Sequence, residues 1–355
     1  MDSISQIDDG LALTIKPIDV SWIERAAARQ LSLTKPPGSL GLLEEIGNRL
    51  AAIQQTITPD VSHKRIYVVA ADHGVTVEGV SAYPREVTAQ MVDNFLKGGA
   101  AINVLARHGG SDVQIVDAGV DADLSERAGL IGVKQILGTA NFAIGPALSR
   151  EETERLMAAG RDLAHASLID GIQLLGVGEM GIGNTTAASA ITAALTSEDP
   201  EAHTDRGTGI DDPSLAHKIE VIRRALAANR PNATDPIDVL AKVGGAEIAV
   251  MTGIIIGAAA NRLAVVADGF ISTAAAALAV RLFPDVRGYL FMAHRSVERG
   301  HAALIDLIGL QPLFDMRMRL GEGTGAALAM HIIDASAKLV REMVTFSEAH
   351  VSNKE

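Results

Sequence analysis

One acidic residue, Glu322, lies in a glycine-rich segment, residues 319–325 with the sequence RLGEGTG, directly before a long apolar helix pattern. Because glycine has no side chain, the backbone can pack closely around the carboxylate and no bulky neighbour shields it. A small flat substrate could then come within hydrogen-bonding distance of one carboxylate, as general-base catalysis requires. The alternative is a helix N-terminus, where an acidic residue only complements the helix dipole.

Polar residues follow each of five predicted strands. Runs rich in branched aliphatic residues predict buried strands at 66–71, 113–117, 172–176, 263–267 and 289–292. Ligands of open parallel sheets bind outside the carboxyl ends of the strands, so the residues that follow are candidates. A single Asp there is often only a turn former or helix cap. Five such ends together indicate a site, and the ionisable residues in them are Asp72, His73, Asp117, Glu179, Asp268, His294 and Arg295.

The segment after the third strand is the most informative of these. Residues 176–186 read GVGEMGIGNTT and contain Gly-x-Gly-x-x-Gly between a strand and a helix, as in dinucleotide-binding sites. Amides at a helix N-terminus and the hydroxyls of Thr185 and Thr186 could bind a phosphate. The acids about twenty positions further on, Glu198 and Asp199, follow a helix instead of a second strand. The segment therefore favours a mononucleotide or sugar phosphate over a dinucleotide, with a tight strand-to-helix turn as the alternative.

Two further segments carry polar groups of interest. Residues 206–212, RGTGIDD, precede Lys218, which could supply a cation for a phosphate or could be an ordinary solvated helix residue. Tyr83, in the segment 79–84 (GVSAYP), precedes a helix that carries Gln90. An aromatic ring and an amide suit a flat heterocycle, although ordinary packing at a helix start explains them equally well.

Composition excludes several classes of protein. The chain has 355 residues, a formal net charge of −12 and no Lys/Arg run, which argues against nucleic-acid binding. There are no cysteines, so no disulfide and no thiolate metal site can form, and the ten histidines lack the spacing of a metal site. The N-terminus lacks the apolar core of a signal peptide, and the apolar run 248–260 is too short to span a membrane. We expect a cytoplasmic protein without a metal or cofactor.

Strands that alternate with helices predict an α/β fold, with a mostly parallel sheet covered by helices on both faces. Helix patterns at 86–108, 151–167 and 185–196 lie between the strands, whereas 39–55, 296–307 and 325–346 lie towards the chain ends. We therefore predict a large nucleotide-binding α/β domain, 61–295, and a smaller helical domain built from residues 1–60 and 296–355.

Together these segments closely resemble the nicotinate-nucleotide–dimethylbenzimidazole phosphoribosyltransferase family, which assembles the lower ligand of cobalamin. The resemblance covers nearly the whole chain, while 41–43 and 294–299 differ somewhat from the usual family wording. It rests on the order and spacing of the motifs at 33–41, 71–74, 79–84, 178–186, 206–209 and 321–327.

The resemblance implies a fold, a reaction and a set of site residues. The fold is a Rossmann-like large domain with a small domain from both chain ends, in a homodimer. The reaction transfers phosphoribose from nicotinate mononucleotide to 5,6-dimethylbenzimidazole, with Glu322 as general base and Glu179 in support. The implied substrate-binding residues are Ser81, Tyr83, Gln90, Gly181, Ile182, Gly183, Asn184, Thr185, Thr186, Gly207, Lys218, Asp268, Arg319, Leu320 and Gly321.

Two other functions have to be weighed against this one. A nicotinamide-dependent oxidoreductase would use the same glycine segment, but it would need a ribose-binding acid at the end of the next strand, about twenty residues on. The acids at that distance, Glu198 and Asp199, follow a helix instead, which argues against this function. A non-catalytic relative that only senses nucleotides would keep the fold and lose the base, whereas Glu322 is present. The sequence does not fix the preferred acceptor among benzimidazoles, purines and phenolics.

Overall fold

The computed structural model describes residues 13–207 and 209–352. Its centre is a parallel sheet in the order β3-β2-β1-β4-β5-β6-β7. The strands are β1 (Lys64–Ala71), β2 (Ser111–Gly119), β3 (Leu130–Gly132), β4 (Leu174–Met180), β5 (Ala264–Ala267), β6 (Leu290–His294) and β7 (Pro312–Phe314). The predicted α/β fold with a Rossmann-like parallel sheet is confirmed. The start of the chain, where the sequence predicts no signal peptide, lies outside the described residues.

The five predicted strands are the central ones, whose side chains are nearly all buried in β1, β4, β5 and β6 and buried over the second half of β2. Burial on both faces requires the continuous aliphatic runs by which they were recognised. The two edge strands were missed, because β3 and β7 are only three residues long and partly exposed. Strand β7 also lies in the part of the chain that we expected to be helical, and it pairs with β6.

Twelve α-helices connect and cover the strands in the described residues. The pattern at 86–108 forms two helices instead of one, because Gly98 takes a left-handed conformation with φ +76° between them. The helices are α1 (Val20–Ser32), α2 (Leu42–Gln54), α3 (Val87–Leu96), α4 (Ala101–Gly109), α5 (Arg150–Ile169), α6 (Asn184–Thr196), α7 (Asp212–Asn229), α8 (Pro236–Val243), α9 (Ala246–Ala260), α10 (Phe270–Leu282), α11 (Arg299–Ile308) and α12 (Thr324–Glu342).

Helices α9 and α12 both pack against β1, β4 and β5. Helix α9 also contacts α5 and α10, and α12 also contacts α2 and α4. The sheet is thereby covered on both faces. Small residues permit the closest of these contacts: a Cβ on Gly253 would lie 2.0 Å from the carbonyl oxygen of Met157, where α9 crosses α5. Helix α9 is buried over almost its whole length, which accounts for the apolar run in the sequence. Within the described part of the chain, no helix combines the length and apolar character that a membrane span needs.

The two ends of the described chain lie together. Helices α1 and α2 pack against each other and against α12, and Leu33 forms an antiparallel bridge with Thr345. The Arg29 side chain donates to the carbonyl oxygen of Val340 at 2.7 Å. These contacts support a helical part made from both chain ends, although β7 shows that the segment 296–355 also contributes to the sheet. The division at residues 60 and 295 stays a prediction.

Candidate active site

A cavity of about 770 Å³ opens at the carboxyl ends of the central strands, where parallel sheets bind ligands. Helices α3 and α4 form one side of it, and the segments after β4, β5 and β6 and before α12 form the rest. Eleven predicted site residues line it: Tyr83, Glu179, Gly181, Ile182, Asn184, Thr185, Gly207, Arg319, Leu320, Gly321 and Glu322.

Glu322 is buried in the wall of this cavity and has a left-handed backbone, with φ +62°, between two glycines that are also left-handed. Its Oε2 accepts a hydrogen bond of 3.3 Å from the backbone N–H of Ile102, in the first turn of α4. The carboxylate is thus directed to a different helix from the one that Glu322 precedes, so it is more than a dipole partner of its own helix. Burial raises the pKa of Glu322 above its ordinary value, which suits a proton acceptor.

Asp268, at the end of β5, holds the segment that carries Glu322. Its Oδ2 accepts from the N–H of Gly323 and its Oδ1 from the N–H of Ala326, both at 3.0 Å. Asp268 is buried, and it does not belong to the lining of the cavity. In this structure it therefore contacts the start of α12, whereas the resemblance implied contact with substrate.

Glu179 is the second acid of the cavity wall. Burial, followed by the charges of Glu247 and Asp268, raises the pKa of Glu179 to about 8. The side-chain amide of Asn184 donates to its Oε2. A Cβ on Gly321 would lie 2.2 Å from its Oε1, so only glycine lets the Glu322 segment pass this close to Glu179. The wall thus contains two different acids. Glu179 keeps its proton at neutral pH, and Glu322 is held against the N-terminus of α4.

The glycine segment after β4 opens α6 as predicted. Thr185 lines the cavity and its hydroxyl accepts from the Lys218 ammonium at 2.9 Å. The same ammonium donates to the carbonyl oxygen of Asp205 at 3.2 Å, and burial lowers the pKa of Lys218 to about 8. Lys218 therefore lies behind Thr185 and outside the cavity lining. The guanidinium of Arg319 donates to the carbonyl oxygen of Gly207 at 2.8 Å and links two sides of the cavity.

Some predicted residues lie outside the lining. Gly183 takes φ +96° at the start of α6, and a Cβ there would lie 2.9 Å from Thr76 and not in the cavity. Gln90 is exposed on α3, while Tyr83, more than half exposed, stands at the cavity. Thr208 of the 206–212 segment lies outside the described residues. The predicted site residues that do not line the cavity are Ser81, Gln90, Gly183, Thr186, Lys218 and Asp268.

Apolar residues of the cavity were missed by sequence reasoning. Val87 and Met91 are four residues apart on α3, so they share one helix face beside Tyr83, and this spacing could have identified them. Phe270 and Met318 come from separate elements and carry no such signal. The other unpredicted lining residues are Ala101, Leu105, Met180, Ile271, Ser272, Glu298 and Thr324, whereas Gly269, His294 and Ser296 follow predicted strands and were candidates for that reason. Among the residues that the structure describes, no group of three or more His, Asp or Glu side chains could hold a metal ion.

Comparisons with known proteins identify the family to which this chain is similar. A family model described as "Phosphoribosyltransferase" matches residues 15–351. The nicotinate-nucleotide–dimethylbenzimidazole phosphoribosyltransferase of Geotalea uraniireducens is 53% identical over 96% of this chain and 97% of its own length. The protein of the same name from Geobacter sulfurreducens is 55% identical, covering 95% of this chain and 96% of its own. The crystal structure of CobT from Thermus thermophilus superposes with a TM-score of 0.90 at 47% identity, covering 94% of this chain and 100% of that one.

Proposed function

The chain belongs to the nicotinate-nucleotide–dimethylbenzimidazole phosphoribosyltransferase family, and from this premise we propose the reaction of its site. The enzyme is a pentosyltransferase that transfers 5-phosphoribose from nicotinate mononucleotide to 5,6-dimethylbenzimidazole. It releases nicotinate and α-ribazole 5′-phosphate, in the nucleotide-loop branch of cobalamin biosynthesis. The observation that carries the proposal is the buried carboxylate of Glu322 at a cavity large enough for both substrates.

The chemistry needs one proton acceptor and no metal. Nicotinate leaves from an electron-poor pyridinium, so the ribose C1′ is already activated. One benzimidazole nitrogen forms a bond to C1′, the bond from C1′ to the pyridinium nitrogen breaks, and its electron pair stays with nicotinate. The other benzimidazole N–H then passes its proton to Glu322 as positive charge builds in the ring. In-line attack opposite the leaving group inverts the anomeric carbon from β to α.

The two cavity acids have different roles in this proposal. A protonated Glu179 and an ionised Glu322 can coexist, because neighbouring carboxyl groups in different environments titrate apart. Burial raises the pKa of both groups, and for Glu179 the value reaches about 8. At neutral pH Glu179 can therefore donate a hydrogen bond to the anionic mononucleotide, while Glu322 accepts the proton of the incoming base.

The 5′-phosphate is assigned to the segment 181–186 on three grounds. Its amides stand at the N-terminus of α6, Thr185 lines the cavity, and the Lys218 ammonium donates a hydrogen bond to the Thr185 hydroxyl. Such an arrangement offers hydrogen bonds and positive potential to a phosphate. Gly207, whose Cβ would lie 2.8 Å from the Thr185 hydroxyl, keeps the opposite side open.

The acceptor base is assigned to the apolar side of the cavity, which Tyr83, Val87 and Met91 form with Leu105 of α4. A flat bicycle gains affinity from burial against such side chains and from stacking on an aromatic ring. We also propose, from the family resemblance, that the enzyme acts in the cytoplasm as a homodimer. Light scattering of the purified protein would distinguish a dimer from a monomer.

The direct test is to incubate the purified protein with nicotinate mononucleotide and dimethylbenzimidazole and to measure nicotinate. We expect nicotinate release that requires the acceptor and that is roughly 10²-fold slower or more in the Glu322→Gln variant. A nicotinamide-dependent oxidoreductase would instead bind a dinucleotide and release no nicotinate. A non-catalytic relative would bind the mononucleotide and leave it intact.

A further inference from the structure

A buried acid–base pair lies behind the wall of the cavity. His73, after β1, and Glu247, in the first turn of α9, have no exposed surface. The Nε2 of His73 lies within hydrogen-bond distance of Oε1 of Glu247, at 2.7 Å. Among the described residues, Nδ1 of His73 and Oε2 of Glu247 have no hydrogen-bond partner. Burying polar groups with unused capacity is unfavourable for stability, so another role is needed to explain the pair.

The pair lies directly beneath the turn that begins the phosphate segment. A Cβ on Gly181 would lie 3.3 Å from Nε2 of His73, and one on Gly183 would lie 3.4 Å from the His73 Cβ. On the other side, a Cβ on Gly245 would lie 2.4 Å from the His73 ring and 2.6 Å from Oε2 of Glu247. The imidazole is therefore enclosed between two glycine turns, one of which lines the cavity.

The charge of Glu247 also affects the pKa of Glu179. Four elements direct polar groups towards this acid: Asn184 from α6, Glu247 from α9, Asp268 after β5 and Glu322 before α12. Burial is the largest cause that raises the pKa of Glu179, and Glu247 has the largest effect of the three neighbouring acids. Removing the negative charge of Glu247 should therefore lower the pKa of Glu179 and move the loss of its proton towards neutral pH.

We propose that the His73–Glu247 pair is a positioning element for the transfer, which supports the turn at Gly181 and keeps Glu179 a neutral acid towards the mononucleotide. A neutral carboxyl group donates a hydrogen bond to an anionic substrate, whereas an ionised one would repel it. Neither member of the pair lines the cavity, so the pair acts only through the residues in front of it. This inference rests on the proposed function.

The test is the pH dependence of kcat/KM for nicotinate mononucleotide in Glu247→Gln, which removes the charge and keeps the shape. We expect the fall of kcat/KM at alkaline pH to move to lower pH by about one unit. In a Glu179→Gln background the Glu247 substitution should cause no shift, since the residue through which it acts is absent.

Two further measurements separate the possible outcomes. Burial also lowers the pKa of Lys218 to about 8, but its neighbouring charges are Glu298 and Asp205, so the Glu247 substitution should leave that pKa unchanged. Infrared spectroscopy of the unsubstituted enzyme reports the C=O stretch of protonated acids, and the band that is present there but absent in Glu179→Gln belongs to Glu179. This readout does not depend on whether the other variants fold. Loss of that band already below about pH 7 would overturn the proposal.

An active Glu247→Gln enzyme with an unshifted pH profile would also overturn it, while leaving the transferase reaction intact. An unsubstituted enzyme that releases no nicotinate at any pH would instead contradict the proposed function. The two failures are therefore distinguishable in one set of experiments.

Discussion

The carboxylate of Asp268 and the backbone N–H of Gly323 are joined by a hydrogen bond of 3.0 Å. This bond ties the end of β5 to the residue directly after Glu322, and a second one to Ala326 fixes the next turn. The left-handed conformation of Glu322 is uncommon for a residue with a side chain and persists because its surroundings enforce it. Asp268 is thus the residue that places the proposed base.

Asp268→Asn should lower kcat roughly 10- to 100-fold, with a smaller effect on KM for the mononucleotide, because small displacements of a catalytic group are costly. An amide can accept from one backbone N–H, but its NH₂ would face the other. The expected loss of stability is about 1–3 kcal/mol, measurable by thermal unfolding.

Asp117→Asn is the control at another strand end: the Oδ1 of the buried Asp117 accepts from the N–H groups of Gly119 and Val120, and its Oδ2 lies 2.9 Å from the Lys134 ammonium. It should lose similar stability and keep kcat. Equal losses of kcat in the two variants would mean that Asp268 has no special relationship to Glu322.

Glu322→Gln should keep the fold and substrate binding and lower turnover by roughly 10²-fold or more, the usual scale for loss of a general base. Steady-state kinetics and calorimetric binding of the mononucleotide measure the two effects separately. Near-normal turnover with intact binding would assign the base elsewhere, and Glu179 would then be examined first.

Thr185→Val should raise KM for the mononucleotide roughly tenfold, because it removes a cavity hydroxyl that is bonded to the Lys218 ammonium. The KM for dimethylbenzimidazole should change little. Thr192→Val on the same helix is the control, as its hydroxyl donates to the backbone carbonyl of Ala188 and Thr192 does not line the cavity. If both variants leave KM unchanged, the segment 181–186 is only a strand-to-helix turn.

Gly183→Val also should raise this KM, but for a reason that the sequence did not indicate. The added side chain would meet Thr76, and valine would have to adopt the left-handed backbone conformation of Gly183. The substitution would therefore distort the turn without blocking the phosphate directly. Its effect is therefore accompanied by a lower melting temperature. The Thr185 variant is the sharper probe of phosphate contact.

Tyr83→Ala should raise KM for the acceptor more than KM for the mononucleotide and alter the preference among bases. Gln90→Ala should act in the same sense but more weakly, because the Gln90 side chain is exposed and has to turn to reach the cavity. Both constants are measured for each variant. If the two substitutions raise only the KM for the mononucleotide, the acceptor has been assigned to the wrong side of the cavity.

The pH profile of kcat/KM for the mononucleotide should be bell-shaped, because it reports essential groups of the free enzyme. Burial raises the pKa of Glu322, so the base is lost as the solution is acidified through that pKa. Burial brings the pKa values of Glu179 and Lys218 to about 8 from opposite directions. As pH rises through that value, one acid gains a negative charge and the lysine loses a positive one, and both changes disfavour an anionic substrate. A profile that stays flat across pH 8 would contradict these assignments.

The sequence predicted those parts of the candidate site that depend on local backbone chemistry. Local sequence patterns predict the glycine segments around Glu179 and Glu322 and the central aliphatic strands, because neighbouring residues alone determine these features. The role of Asp268 and the pair of His73 with Glu247 depend on contacts between distant elements, which no local pattern records. The short edge strands were missed because three partly exposed residues carry too little periodicity.

The most direct test of the proposed function is the anomeric configuration of the product. Purified enzyme is incubated with nicotinate mononucleotide and dimethylbenzimidazole, and the nucleotide product is examined by proton NMR while nicotinate is quantified. In-line attack at an activated C1′ with Glu322 as base predicts an α-configured ribazole phosphate formed in equal amount with nicotinate. A β-configured product, or nicotinate released as readily without the acceptor, would contradict it.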